Sequence, residues 1–213
     1  MLKASCPACG AELKISNKAI AHVVCEYCRS LSVRQDMNLE CMGIVAELQA
    51  ELTPLQILAS GVFAGEPFTL IGAVQKEYDG GYWSEWHADF GAPKSGWLAQ
   101  AQGRYTMTFP ARVPRPFPRV DELEKIEPGT LVRIDESDFT VMDKKTAQVA
   151  TYCGELPPGA VRPDAFYSID LAATPDRFAT IEIGPEKEVY LFTGQSIEFE
   201  DLHLTNLRAI DGW

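Results

Sequence analysis

Most of the chain after residue 67 consists of short runs of β-favouring residues, separated by glycine, proline and aspartate. Turn signals about eight to twelve residues apart are typical of an all-β barrel or sandwich. Asp79-Gly80-Gly81 and the segment 91–96 supply the glycines that tight hairpin turns need. In this first half we predict strands over residues 68–78, 82–90, 97–101 and 105–109.

A second set of strands follows a proline-rich segment. The prolines of segment 110–118 cannot donate ladder hydrogen bonds, so a rigid extended crossing is expected there, within residues 110–130. The tripeptide Phe139-Thr140-Val141 then echoes Phe68-Thr69-Leu70 of the first half. This echo suggests two related halves, 67–109 and 131–213. The predicted strands of the second half cover residues 131–134, 139–142, 148–152, 166–171, 178–183 and 188–192.

Residues 82–90 show the clearest alternation of the predicted strands. Successive side chains of a strand point to opposite faces, which places Tyr82, Trp86 and Phe90 together. We assign that face to the core. The opposite face mixes polar and aromatic side chains and is a candidate contact surface for a protein partner. The residues of this candidate contact face are Trp83, Glu85 and His87.

Two short helices are predicted outside the strands. Thr53-Pro54 has the form of an N-cap followed by a proline at the first helical position. One or two helical turns are therefore expected before Gly61, within a connector over residues 38–66. The C-terminal segment 199–207 has leucines spaced for the burial of a short docked helix.

The N-terminal segment contains four of the six cysteines, in two pairs with fifteen residues between the pairs. Two residues separate the cysteines of each pair, and this spacing matches a structural zinc site. Gly10 follows the first pair and can adopt the positive φ that a tight turn needs. We therefore predict a zinc ribbon over residues 1–37. Its single zinc ion is expected to be held by Cys6, Cys9, Cys25 and Cys28.

Four thiolates fill the coordination sphere of zinc and leave no position for a substrate, so this site is predicted to be structural. A segment this small needs the free energy of metal binding for folding. Reduced cysteines without a metal, or an iron centre, are the alternatives. Cys41 and Cys153 have no local partner, and we interpret both as small buried hydrophobic residues.

The chain has 213 residues and a formal net charge of -11. This charge repels phosphate backbones unless a basic face is segregated, so nucleic acid is not an expected partner. In residues 1–37 basic residues exceed acidic ones, which gives a charge of +2. The net negative charge of a tetrathiolate zinc site cancels that positive charge. No apolar run is long enough to span a bilayer, and the N-terminus lacks the apolar region of a secretory signal. A cytoplasmic protein without direct membrane insertion is expected.

Signatures of common enzyme classes are missing from the sequence, including GxxxxGK[ST], HExxH and GxSxG. Glu85 and Glu155 each lie in a hydrophobic strand, where paired carboxylates could perform acid–base work. Strand glutamates next to glycine turns usually face solvent or accept a backbone hydrogen bond, and we favour that interpretation. No catalytic residue is therefore assigned.

Several short motifs resemble one bacterial protein family. They are Trp83-Ser84-Glu85-Trp86, Gly96-Trp97-Leu98, Gly154-Glu155-Leu156-Pro157 and Phe192-Thr193-Gly194. In these motifs the chain resembles the family called domain of unknown function 4178, over about residues 45–200. Members commonly carry a four-cysteine ribbon in front. The chain departs from the family at Gly72-Ala73, where members tend to have arginine after the glycine, so an anion contact there would be missing.

The resemblance implies the fold and the domain order, and it carries over no catalytic residue. It also implies an accessory role in a bacterial stress system or a polyamine-linked system. We predict a mainly β protein: a zinc ribbon, then an all-β barrel or sandwich, then a short C-terminal helix.

The predicted function is a non-enzymatic accessory or adaptor protein that binds another protein. One alternative is a barrel that binds a small cationic metabolite, which an acidic, aromatic-rich chain would attract. The other is an enzyme with an unrecognised active site.

Overall fold

The computed structural model describes residues 2–35, 38–48, 53–101, 103–162 and 164–210. Fifteen β-strands dominate these residues, together with one short α-helix and one 3₁₀ turn. A four-cysteine cluster lies at the N-terminal end. The predicted fold class is therefore confirmed.

Five short strands form the N-terminal ribbon, which reaches Ile44 because a strand pairs with the strand Ser30–Gln35 where the connector was predicted to begin. Its first two strands pair as a separate hairpin, and the next three form an antiparallel sheet. Leu13 and Ile15 point to the buried side of the hairpin, where they pack with Ile20 and Val23. The bounds are β1 (Leu2–Ser5), β2 (Glu12–Ile15), β3 (His22–Val24), β4 (Ser30–Gln35) and β5 (Asn38–Ile44).

The first half of the β region is an antiparallel meander in which each strand pairs with the next. Its apolar core contains Leu70, Trp86, Leu98 and Met107. The last strand continues through Pro110, which pairs with Phe192, so the predicted crossing begins later than expected. Proline is tolerated there because the pairing with β9 ends at Thr108. The strands are β6 (Ser60–Phe63), β7 (Glu66–Tyr78), β8 (Gly81–Asp89), β9 (Ser95–Ala101) and β10 (Arg104–Ala111).

The second half repeats this arrangement with five further strands around a core that includes Phe139, Ile169 and Ile181. Two predicted strands, 139–142 and 148–152, are parts of one long strand, because the chain crosses from one neighbour to another without a turn. The elements are α1 (Val120–Leu123), β11 (Leu131–Ile134), β12 (Ser137–Leu156), β13 (Phe166–Ala173), β14 (Arg177–Ile183) and β15 (Val189–Ile197).

The two halves share local irregularities 71 positions apart. Ala64 and Asp135 each begin a two-residue hairpin turn, and both have a φ of 51°. The β7 register shifts between Leu70 and Gly72. The β12 register shifts between Val141 and Asp143. Because turns and bulges recur at matching positions, the halves follow one folding pattern, as the sequence echo suggests.

Pairing between the halves produces a ring of eight strands. β7 pairs with β12, and β10 pairs with β15. Each half buries one strand face in its own apolar core. We call the opposite face of β7, β8, β13 and β14 the inner face, because side chains from the two halves meet there.

Gly72 and Gly154 are opposite each other where β7 crosses β12. A Cβ atom on Gly72 would lie 2.1 Å from the carbonyl oxygen of Glu155. Gly154 has a φ of 65°, which also favours glycine. This close backbone approach explains both glycines.

Among the described residues no helix forms before Gly61, and the predicted C-terminal helix is a short 3₁₀ turn. Thr53 Oγ1 accepts a hydrogen bond from the Leu55 N–H, but Leu58 is left-handed and its N–H donates to Leu70 of β7. Pairing with the β7 edge therefore replaces a helix before β6. The C-terminal segment forms only a 3₁₀ turn (Glu200–Leu202), in which Leu202 is fully buried.

Candidate functional site

The four ribbon cysteines converge on one point. Their Sγ atoms all lie within 4.8 Å of one another. The Cys6–Cys28 distance is 3.7 Å and the Cys9–Cys25 distance is 3.8 Å between sulfur atoms. A tetrahedral ion with bonds of about 2.3 Å holds its sulfur ligands about 3.8 Å apart. This predicted cluster can therefore hold a metal ion.

Both cysteine pairs use the same backbone turn. The Gly10 N–H donates to the Cys6 carbonyl at 2.9 Å, and the Arg29 N–H donates to the Cys25 carbonyl at 2.8 Å. Gly10 has a φ of 77° and Arg29 a φ of 57°. The turn predicted at Gly10 is present, and Arg29 adopts the same left-handed conformation.

Ser30 is a partner of the cluster that sequence reasoning did not identify. Its buried hydroxyl lies 3.2 Å from the sulfur atoms of both Cys6 and Cys28. Burial raises the pKa of Cys6, but hydrogen bonds, above all that of Ser30, lower it to about 6. Ser30 therefore stabilises thiolate, and its position two residues after Cys28 is the signal that could have identified it.

The other two cysteines differ from each other. Cys153 packs against the core of the first half, and burial raises its pKa to about 12. Cys41 is exposed on β5, so its interpretation as a buried residue is wrong. β5 lies at the end of the sheet, and within the part of the chain that the structure describes β4 is its one pairing partner.

Alternation along β8 places Trp86 in the core, with 5% of its surface exposed. Tyr82 is 41% exposed, in contrast to its predicted place in the core, because it lies at the start of the strand. The face with Trp83, Glu85 and His87 is turned toward the second half. Trp83 and Glu85 are half-buried, and His87 is only 2% exposed. Ring closure thus encloses most of the candidate contact face.

A network of four charged side chains crosses the inner face. Lys76 Nζ donates to Glu85 Oε2 at 2.7 Å and to Glu182 Oε1 at 2.6 Å. Arg162 donates to the second oxygen of Glu182 at 2.6 Å. Trp83 Nε1 donates to Glu85 Oε1 at 2.9 Å. Each carboxylate oxygen in the network therefore accepts a hydrogen bond.

Mutual attraction keeps the network charged. Burial lowers the pKa of Lys76, but the charges of Glu182 and Glu85 outweigh it and raise that pKa. Burial raises the pKa of Glu182, but Lys76 and Arg162 lower it on balance. Both groups are thus ionised at neutral pH.

Asp170 of β13 also lies on the inner face. Thr180 Oγ1 donates to its Oδ1 at 3.1 Å. Burial raises the pKa of Asp170 to about 6, because that hydrogen bond and the nearby Lys145 compensate only in part. Asp170 is thus an inner-face carboxyl group whose pKa lies close to neutral pH.

Glu155 lies at the contact between ribbon and ring. Its carboxylate accepts hydrogen bonds of 2.7 Å from the backbone N–H and the hydroxyl of Ser16. Its carbonyl oxygen lies 2.9 Å from Nδ1 of His87. Burial raises the pKa of Glu155 and lowers that of His87. The structure shows no shared partner for Glu155 and Glu85 among the described residues, and each has its own hydrogen bonds.

Within the described part of the chain, no helix is long and apolar enough to cross a membrane. One family profile matches the chain over residues 59–199 and is described as Domain of unknown function (DUF4178). No curated protein and no solved structure matches it. The matched region runs from the start of the first meander to the end of the second, and the cysteine cluster lies outside it.

Proposed function

The chain belongs to the family Domain of unknown function (DUF4178). From this premise we propose that it is a non-enzymatic, zinc-containing adaptor that binds another protein through its ribbon. The family description assigns no activity. The observation that carries the proposal is the exposure of large apolar side chains around the cysteine cluster.

Zinc is the proposed metal because the donor set is four thiolates in tetrahedral spacing. A site of this kind holds its ion through purification. Elemental analysis of the full chain, purified without chelator, is expected to give about one zinc per chain. A content below about half an equivalent, or iron in its place, would contradict the proposal.

The contact surface consists of three exposed apolar side chains of the ribbon. Ile44 is 76% exposed, Tyr27 is 71% exposed and Met42 is 54% exposed. Tyr27 lies between Cys25 and Cys28, and Ile44 pairs with Ser30, so two of the three are tied to residues of the cluster. Exposed aromatic, methionine and aliphatic residues are typical of protein contacts.

The edge strand β5 suggests how a partner would bind. Among the described residues only β4 pairs with it, so its other backbone edge makes no strand pairing. An extended segment of a partner could add to that edge and cover Met42 and Ile44. Metal binding fixes the turn before β4 and thereby the position of the edge.

The experiment compares pull-downs from the native host with the full chain, with Ile44→Asp and with Leu58→Asp. Leu58 is the control because it is 61% exposed but lies outside the ribbon. A partner is expected with the unchanged chain and the control, and its recovery should fall about tenfold with Ile44→Asp. Equal recovery with both variants, or no partner at all, would overturn the proposed contact.

A further inference from the structure

A cavity of about 160 Å³ lies beside the charge network, beneath the loop that joins β12 to β13. Its apolar walls include Val74, Trp97, Val149 and Phe192. We infer that this cavity binds a small, flat, uncharged molecule that presents a carbonyl oxygen to Arg162 and Lys76.

Charge balance argues for an uncharged guest. The charged residues that line the cavity are Lys76, Arg162, Glu85 and Glu182, and their charges sum to zero. A guest with a net charge would add an uncompensated charge beside the buried Lys76 and Glu182, at a large cost in desolvation. Both carboxylates are already paired with internal cations, which disfavours the cationic metabolite considered from composition.

Donor capacity argues for a carbonyl group. Among the described residues, the guanidinium of Arg162 donates to Glu182 and to the carbonyl of Gly159, and a guanidinium has further N–H donors. The ammonium of Lys76 donates to two carboxylates, and it carries a third hydrogen. A neutral acceptor can use these donors without disturbing the ion pairs.

Size and position favour a ring. A cavity of about 150 Å³ accommodates benzene, so this one is large enough for a six-membered ring against the lining residues Trp97 and Phe192. The side chain of Arg162 is 18% exposed, whereas that of Glu182 is 3% exposed. Arg162 and Tyr190, whose ring lies 4.1 Å from the guanidinium carbon, therefore form the solvent side. A carbonyl substituent on the ring would meet Arg162 at this mouth.

The experiment uses three probes with the same ring: benzamide, benzoate and benzylammonium. Each is titrated into the full chain while the indole N–H resonance of Trp97 is followed by NMR. Benzamide is expected to give a saturable shift, with an affinity about tenfold tighter than that of either charged probe. No saturable shift with benzamide would overturn the site, and tighter binding of a charged probe would overturn the uncharged guest.

Two variants of the covering loop locate the binding. Ala160 lines the cavity and is half-buried, so Ala160→Phe fills it. Ala165 lies in the same loop but outside the cavity wall, and Ala165→Phe is the matched control. Benzamide affinity should fall at least about tenfold in the first variant and stay within about twofold in the second. Should Ala160→Phe fail to fold, Val149→Leu replaces it. Unchanged affinity in a folded cavity variant would contradict the inference.

Discussion

Lys76 of β7 and Glu182 of β14 form an ion pair with an Nζ–Oε1 distance of 2.6 Å, although 106 residues separate them in sequence. Their strands are not neighbours in the ring, so this contact crosses from one half to the other. Because both side chains are buried, removal of either one would leave the other as an uncompensated buried charge. The two halves are therefore joined by charge as well as by strand pairing.

Lys76→Met is expected to destabilise the protein by about 3 to 5 kcal/mol, because it leaves Glu85 and Glu182 without their shared cation. Chemical denaturation of the variant and the unchanged chain measures this. Lys3→Met is the control, since the pair of Lys3 with Glu12 is exposed, and its effect should stay below about 1 kcal/mol. Similar losses in the two variants would contradict a special role for the buried pair.

The contribution of this pair should depend on pH. The folded-state pKa of Glu182 is lowered, so its stabilisation is present above the unfolded pKa and is lost as pH falls through the folded one. The raised pKa of Lys76 gives stabilisation that is lost as pH rises through the folded value. The difference in unfolding free energy between the unchanged chain and Lys76→Met should therefore be largest near neutral pH. A constant difference from pH 7 to pH 3 would exclude this linkage.

Asp170→Asn is expected to stabilise the protein by about 1 to 3 kcal/mol at pH 7.5, because ionised Asp170 is disfavoured by burial. Because its folded pKa is raised to about 6, Asp170 takes up a proton more readily in the folded state than in the unfolded state. The free energy of unfolding should therefore rise as pH falls from above 6 toward about 4. The variant should lose that rise. Denaturation at pH 7.5 and pH 5 tests this, with exposed Asp138→Asn as control. Destabilisation at pH 7.5 would mean that ionised Asp170 is needed.

Strand positions could be predicted well where turn residues mark both ends. The strand Leu131–Ile134 is found as predicted, and the hairpin predicted at Asp79-Gly80-Gly81 is present with Gly81 already paired in β8, because glycine or a polar pair sets the turn. The length of β12 could not be predicted, because its middle residues change neighbours at Ala147 without a turn signal. The closure of the ring depends on that change.

The four-cysteine cluster could be predicted because its members are close in sequence and their spacing has a chemical reason. The inner face could not be predicted. Lys76 and Arg162 look like ordinary charged residues in sequence, and only the meeting of two distant halves buries them. For the same reason, alternation along β8 separated Trp86 from Glu85 correctly but gave no sign that the second face would be covered.

Trp86→Ala is expected to destabilise the fold by about 3 to 5 kcal/mol, the usual cost of emptying a large aromatic core site. Trp83→Ala should cost less than half as much, because Trp83 is only half-buried. The variant loses the hydrogen bond to Glu85 and the ring contacts with Lys76 and Tyr78. Thermal melts of the two variants decide this. Equal losses would show that Trp83 fills the interior as fully as Trp86, which would remove it from the candidate contact face.

Cys25→Ser is expected to unfold the ribbon while the eight-strand ring stays folded. The ribbon loses a ligand of the cluster that organises it, whereas the ring contains its own two apolar cores. The two parts meet through the β3–β12 pairing, the hydrogen bonds of Glu155 to Ser16 and the packing of Ile71 of β7 in the ribbon core. Hydrogen exchange measured by mass spectrometry should therefore show lost protection in β3 and β4 and unchanged protection in β14, which packs in the core of the second half. Lost protection throughout β14 would show that the ring depends on the cysteine cluster.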